Sequence, residues 1–239
     1  MADELITITQ AAGMIGVSLD TLRRWDESGK LVAIRPGKGS HRLYRLRDIE
    51  VFMTDIFSLA KRWVTSDLPS TPEKLFYCPN SSVFQARLNK LEGELKTVSP
   101  DLFSLIGSAA GEIGNNSFDH NLGKWPDISG IFFGYDLSKR IVVLADRGLG
   151  ILETLSRVRK DLNNHQDALK VAFTEIITGR APEHRGNGLK YVRRVVTEFP
   201  IKLTFQTGDA KLNLQQGDTD IKIEHADQSF RGCLALLRF

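Results

Sequence analysis

Apolar residues recur at helical spacing from the start of the chain, and the breaks in that spacing divide it. Ala12 and Ile15, behind Thr9 as an N-cap, predict a short helix. Ser18 is placed to cap a second helix from Leu19 to about Ser28, with Leu22 and Trp25 facing inward and Thr21, Arg23 and Arg24 outward. After Gly29 the pattern becomes extended. Residues 30–35 and 41–45 read as two strands of a wing around the glycine-rich turn 36–40. From Asp48 to Val64, the residues Ile49, Phe52, Ile56, Leu59 and Trp63 form one helical stripe. The stretch 66–72, rich in Pro, Ser and Thr, reads as a linker, which predicts a first domain over 1–65 and a second over 73–239.

In the second domain, Arg87 to Lys96 is helical in period. Pro100 opens a further helix through Leu102, Leu105, Ile106 and Ala109 to Asn121. Ile128 to Tyr135 and Ile141 to Leu144 read as a hairpin, and 152–178 as a charged, partly helical stretch. A helix from Leu189 to Val196 precedes four alternating segments at 202–206, 211–214, 220–224 and 232–237, which would complete an antiparallel sheet. The expected class is α+β.

A length of 239 residues allows two cores, and 41% hydrophobic with 26% charged residues is ordinary for a folded chain. The net charge of +3 says little, but residues 21–47 hold eight Lys/Arg against Asp26 and Glu27, a local basic patch on the helix-turn-helix pattern. Cys78 and Cys233 match no metal-ligand spacing and read as reduced thiols. No apolar run approaches the roughly 20 residues that span a bilayer. The first residues also lack the basic flank of a signal peptide, so the expected location is cytoplasmic, with no membrane partner.

The chemistry concentrates in three segments: Glu112-Ile-Gly-Asn115-Asn116-Ser-Phe-Asp119-His120, Asp146-Arg-Gly148-Leu-Gly150 and Arg185-Gly186-Asn-Gly188-Leu189. Glu112 and Asn116 stand four apart on one helix face, where a carboxylate can activate water and a neutral amide oxygen can ligate Mg²⁺. Asp119 and His120 continue that face. The glycines let backbone approach a ring and phosphates, the second set just before a helix N-terminus. Arg180, Arg185 and Lys190 add positive charge nearby or are plain surface charge.

In this order and spacing the segments resemble the conserved boxes of the GHKL superfamily of gyrase B, histidine-kinase catalytic domains and anti-sigma-factor kinases. The resemblance implies a two-layer α/β sandwich of the Bergerat type binding ATP and Mg²⁺. Asp146 would receive the adenine amine, with Asn115, Asn116, Asp119, His120, Gly148, Gly150, Gly186, Gly188 and Leu189 around the nucleotide. Glu112 would be the general base and Asn116 the metal ligand. The family commonly has Thr after the glycine of its last strand, where this chain has Gly232-Cys233.

Residues 6–52 resemble the winged helix-turn-helix of the MerR and excisionase families. The likeness rests on Ala11-Ala12, Val17-Ser18, Thr21-Leu-Arg23-Arg24-Trp25, Gly29-Lys-Leu31 and His41-Arg42-x-Tyr44-Arg45-x-x-Asp48-Ile49-x-x-Phe52. It implies double-stranded DNA as partner, with Ser18, Thr21, Arg23 and Arg24 toward the major groove and Lys38, Arg42 and Tyr44 on phosphate. The long dimerising coiled coil of MerR regulators is missing, so a homodimer would have to form by other means. The reading is an ATP-responsive DNA-binding regulator that hydrolyses ATP slowly. The alternative, from the Glu-x-x-x-Asn-x-x-x-His pattern, is an anti-sigma-like serine/threonine kinase acting on a partner protein.

Overall fold

The computed structural model describes residues 4–15, 17–29, 31–37, 40–53, 55–175 and 188–239. They form two compact units, Met1–Leu59 and Ala60–Phe239, so the chain passes from one to the other ahead of the 66–72 stretch.

In the first unit β1 (Leu5–Thr7) leads directly into α1 (Ile8–Ile15). Thr7, not Thr9, caps this helix. The Thr7 hydroxyl accepts the Gln10 N–H at 3.3 Å and the Gln10 side chain accepts the Thr7 N–H at 2.8 Å, a reciprocal capping box. Ser18 caps α2 (Leu19–Glu27), accepting from the Thr21 N–H. Next come β2 (Leu43–Arg45) and α3 (Leu46–Met53). The wing differs from the expected hairpin: its two arms meet in a single bridge, Ile34 to Leu43, while β2 pairs antiparallel with β1. The pairing buries Ile6 and Tyr44 with Ala11, Leu22 and Ile49 in one small core.

The stripe from Asp48 to Val64 is two helices rather than one, because α4 (Ile56–Thr65) starts afresh. Asp55 accepts the Ser58 N–H at 3.2 Å, as an N-cap does.

The second unit is built on a seven-stranded sheet. Its elements are β3 (Tyr77–Cys78), α5 (Ser81–Val98), α6 (Phe103–Asn121), β4 (Ile131–Asp136), β5 (Ile141–Asp146), α7 (Gly150–Leu155), α8 (His165–Thr174), α9 (Gly188–Glu198), β6 (Lys202–Thr207), β7 (Ala210–Leu214), β8 (Ile223–His225) and β9 (Cys233–Arg238). The strand order is β3-β4-β5-β9-β6-β7-β8, antiparallel throughout. One face packs under α5, α6, α8 and α9 around Phe84, Leu91, Ile106, Phe133, Leu144 and Phe205. The other face buries Phe132, Val143, Leu234 and Leu236. There Phe76 stacks on Phe132 at 4.9 Å and Trp63 lies 6.5 Å from the same ring. The fold is α+β. No helix among the described residues is long and apolar enough to cross a membrane.

Pairing aligns Asp146 with Cys233 and Cys233 with Thr207, so these three side chains form one row at the end of three central strands, on the helix-covered face. Gly232, which enters β9, has φ +94°, and a Cβ there would lie 2.0 Å from the Asp146 carbonyl oxygen. Gly232→Ala is expected to cost roughly 1–3 kcal/mol in backbone strain alone, before the clash is counted. Urea unfolding measures it, and an unchanged midpoint would mean that the entry to β9 relaxes freely.

Candidate functional site

A cavity lies over the Asp146 row. From α6 it is lined by Ile113, Asn116, Ser117, His120 and Asn121. These are the i, i+3, i+4, i+7, i+8 positions of one helical stripe. The stripe explains which expected residues gather and which do not. Asn116 and His120 lie on it, whereas Asn115 and Asp119 are exposed one residue away and line no part of the cavity. Ser117 and Asn121, absent from the expected set, lie on it. The apolar walls come from Ile113, Ile151, Leu155, Ala172, Leu189 and Phe205.

Asp146 is 2% exposed. Its Oδ2 accepts from the Ser117 hydroxyl at 2.7 Å and its Oδ1 from the Gly148 N–H at 2.8 Å. Burial pushes its pKa above the usual carboxylate range, although these donors pull the other way. Burial and the Asp146 carboxylate push the neighbouring Cys233 thiol well up as well. Ser117 supplies the hydroxyl to Asp146. Thr207, one strand over, donates to the Gly232 carbonyl at 2.9 Å and accepts the Ile151 N–H at 3.2 Å.

The loop after β5 is held residue by residue. Asn121, 3% exposed, accepts the Leu149 N–H at 2.8 Å and donates to the Ser117 carbonyl at 2.7 Å. Its amide occupies the space a side chain at Gly148 would need, 2.1 Å from that Cβ position. Gly150 has φ +76°, and a Cβ there would meet the Thr207 hydroxyl at 3.0 Å. Both glycines are therefore required by close approach and backbone conformation.

Glu112 is half-buried, and its Oε2 lies 2.3 Å from where a Cβ at Gly188 would stand, with Asn116 Nδ2 at 3.3 Å. The two polar side chains therefore converge on the start of α9, and Leu189 of that helix lines the cavity. Gly186, Arg180 and Arg185 lie outside the described residues. Burial lowers the pKa of Lys190, in the first turn of α9.

In the first unit the basic residues differ in their partners. Arg24 is exposed and makes no ion pair among the described residues, while Arg23 pairs with Asp20 at 2.5 Å. Ser18 Oγ contacts Thr21 Oγ1 at 2.9 Å as well as capping the helix. Tyr44 is not on the wing surface: it is 1% exposed in the core, with its hydroxyl 3.4 Å from the Leu22 carbonyl, out of reach of a phosphate. Arg42 donates from Nε to Asp26 at 2.7 Å. Asp26, 8% exposed, also accepts from the Ala33 N–H at 2.9 Å and from Arg35, and so ties the wing to α2. Lys38 lies outside the described residues.

Residues 6–54 match the profile of the MerR HTH family regulatory proteins. This segment is a MerR-type helix-turn-helix. The transcriptional repressor DcmR of Methylorubrum extorquens is 42% identical over 52 residues, which cover 22% of this chain and 20% of the repressor. The type II methyltransferase M.Eco47II of Escherichia coli is 35% identical over 63 residues, which cover 26% of this chain and 15% of the enzyme. The chain thus spans a fifth or less of these curated relatives. Among solved structures, the 43K ATPase domain of Thermus thermophilus gyrase B in complex with an aminocoumarin covers 63% of this chain and 40% of its own, at 15% identity and a TM-score of 0.35.

Within the MerR-type segment, burial raises the Asp26 pKa, but the Ala33 N–H and the Arg42 and Arg35 guanidinium groups outweigh it and hold the carboxyl below its ordinary value. Its contribution to stability is therefore present above the unfolded carboxylate pKa and lost as pH falls through the lowered folded one. Asp26→Asn is expected to destabilise the protein by about 1–3 kcal/mol at pH 7. The gap from wild type closes only below about pH 4, which urea unfolding at a series of pH values checks.

Proposed function

We propose that the chain is a nucleotide-responsive DNA-binding regulator. The second unit binds ATP over Asp146, and occupancy governs how the MerR-type segment engages double-stranded DNA. The observation that carries this reading is a nearly inaccessible carboxylate at the floor of a cavity walled mainly by aliphatic and aromatic side chains. A purine presents flat apolar faces to such walls and an amine to such a floor. Guanine would set a carbonyl against Asp146 and leave the carboxylate unpaired, so the site selects adenine.

The residues also suit the rest of the ligand. Asn116 offers a neutral oxygen for Mg²⁺, which takes few protein ligands beside phosphate oxygens. The metal neutralises phosphate charge when bound. Glu112, beside it, is the group that takes a proton from an attacking water. The space at Gly188, which any side chain would fill, admits backbone close to phosphate at the start of α9. On the DNA side, Arg24, Arg23 and Thr21 on α2 face the groove, and paired half-sites call for a homodimer in the cytoplasm.

Asp146→Asn tests the site. The amide keeps both local hydrogen bonds, accepting from Gly148 and donating to Ser117, but presents a donor where the adenine amine needs an acceptor. ATP binding by calorimetry should fall by more than about tenfold, that is, more than about 1.4 kcal/mol. Binding that stays within about threefold removes adenine from this cavity. Because the folded pKa of Asp146 is raised, its ionised form is penalised at neutral pH, and the penalty shrinks as pH falls below that raised value and is gone below the unfolded carboxylate pKa. The ligand-free variant should accordingly melt at or above wild type at pH 7, with the difference shrinking in acid.

Glu112→Ala should leave ATP binding largely intact and slow hydrolysis by roughly 10²-fold or more. Phosphate release assays read this directly, and unchanged turnover would make the unit a sensor without a catalytic base.

A further inference from the structure

Strand alternation sends Arg147 away from the side that Asp146 faces. Arg147 is 6% exposed and lines no part of the cavity. Its Nε and Nη2 donate to Asp127 Oδ2 at 3.1 and 2.8 Å, and its Nη1 donates to the carbonyl oxygens of Trp63 at 2.7 Å and Ser66 at 2.8 Å. Trp63 lies in the last turn of α4. A carbonyl left without a partner at a helix end is therefore met by a guanidinium, whose charge also suits the negative end of the helix dipole. Asp127 is held in turn by Arg231 at 2.6 Å, the residue before Gly232. The chain passes from one compact unit to the other inside α4, between Leu59 and Ala60.

We propose that Arg147 is a latch that couples occupancy of the Asp146 cavity to the end of the connecting helix α4. This rests on the nucleotide reading above. Asp146 and Arg147 share a peptide unit, and the following loop is pinned at Gly148 and Leu149, so ordering the carboxylate orders the backbone that carries the guanidinium. The guanidinium is a planar fork that satisfies two carbonyls and a carboxylate together, which a lysine ammonium cannot reproduce. Holding one end of this set lowers the entropy lost in holding the other. Bound nucleotide therefore firms the last turn of α4 without any large displacement.

Hydrogen exchange read by mass spectrometry on the full chain, with and without ATP and Mg²⁺, tests the latch. In wild type, ATP should slow exchange across residues 60–72 by about fivefold or more. Arg147→Lys should lose that protection while binding ATP within about threefold of wild type by calorimetry. Asp127→Asn, which removes the charged partner and leaves the guanidinium, should weaken the protection in the same direction and carries the test if the lysine variant loses its protected α5 and α6 amides. Protection that persists in both variants overturns the latch. Wild type that binds ATP with no change across 60–72 overturns the latch alone, and wild type that binds no ATP overturns the nucleotide reading together with it.

Discussion

An ionisable carboxylate almost wholly withdrawn from water has to be solvated by the protein, and much of the second unit's local architecture meets that demand at Asp146. A buried carboxylate without donors costs several kcal/mol. Here the donors include the Ser117 hydroxyl and the Gly148 N–H. Each needs its own support. Ser117 is carried by α6, so the helix must cross the end of β5 at one particular height. Gly148 must turn back beneath the carboxylate, so the loop must be tight enough that Asn121 can fill the space a Cβ would take. Asn121 in turn bonds both Ser117 and Leu149. Helix, strand end and loop are in this way one hydrogen-bonded unit, and a change at any of the three moves the acceptor at the cavity floor.

The first unit solves a smaller version of the same problem at Asp26, with a different outcome. There the donors include two guanidinium groups, and the carboxyl is held below its usual pKa. At Asp146 no cation pairs with the carboxylate among the described residues, and burial wins. The contrast separates a structural carboxylate from one suited to a ligand. Asp26 has its acceptor capacity filled by the groups that shape the wing, whereas Asp146 has a cavity above it and a pKa that an incoming donor would lower.

Much of the fold was legible because strongly periodic segments dominate it. The stripe through Leu105, Ile106 and Ala109 and the alternating strands from 202 onward needed only periods of 3.6 and 2. What periodicity could not reveal was long-range or reciprocal. The strand β1 is three residues long and exists because β2, far along the chain, pairs with it. Thr7 outcompetes Thr9 as a cap because Gln10 returns the hydrogen bond. Asp55 divides an unbroken apolar stripe by capping a new helix, a signal present in the sequence but outweighed there by the period. Tyr44 sits among basic residues and looks like wing surface, yet strand alternation turns it into the core. Of the residues that motif spacing singled out, Asn116 and Asp146 line the cavity and Glu112 does not, for a motif treats neighbours alike and a helix does not. The 100° step between adjacent residues is what sets Ser117 and Asn121 inside and Asn115 and Asp119 outside.

The same alternation that hides Tyr44 bears on the proposed joining of nucleotide binding to a MerR-type segment. A MerR-type segment alone reads few base pairs, and specificity gains when two copies are held at a fixed spacing. A ligand that influences that spacing must act on some element that reaches beyond its own cavity. Adjacent residues of a strand point to opposite faces, so a strand end is a place where one residue can meet a ligand and the next can meet a different part of the chain. Asp146 and Arg147 are such a pair: one forms the floor of the cavity and the other closes the end of α4. Coupling through a single peptide unit needs no chain of intermediates to relay a displacement. The strength of the proposed coupling is then limited by how rigidly the loop between Asp146 and Ile151 is held, and so by the hydrogen bonds that Asn121 and Thr207 make to it.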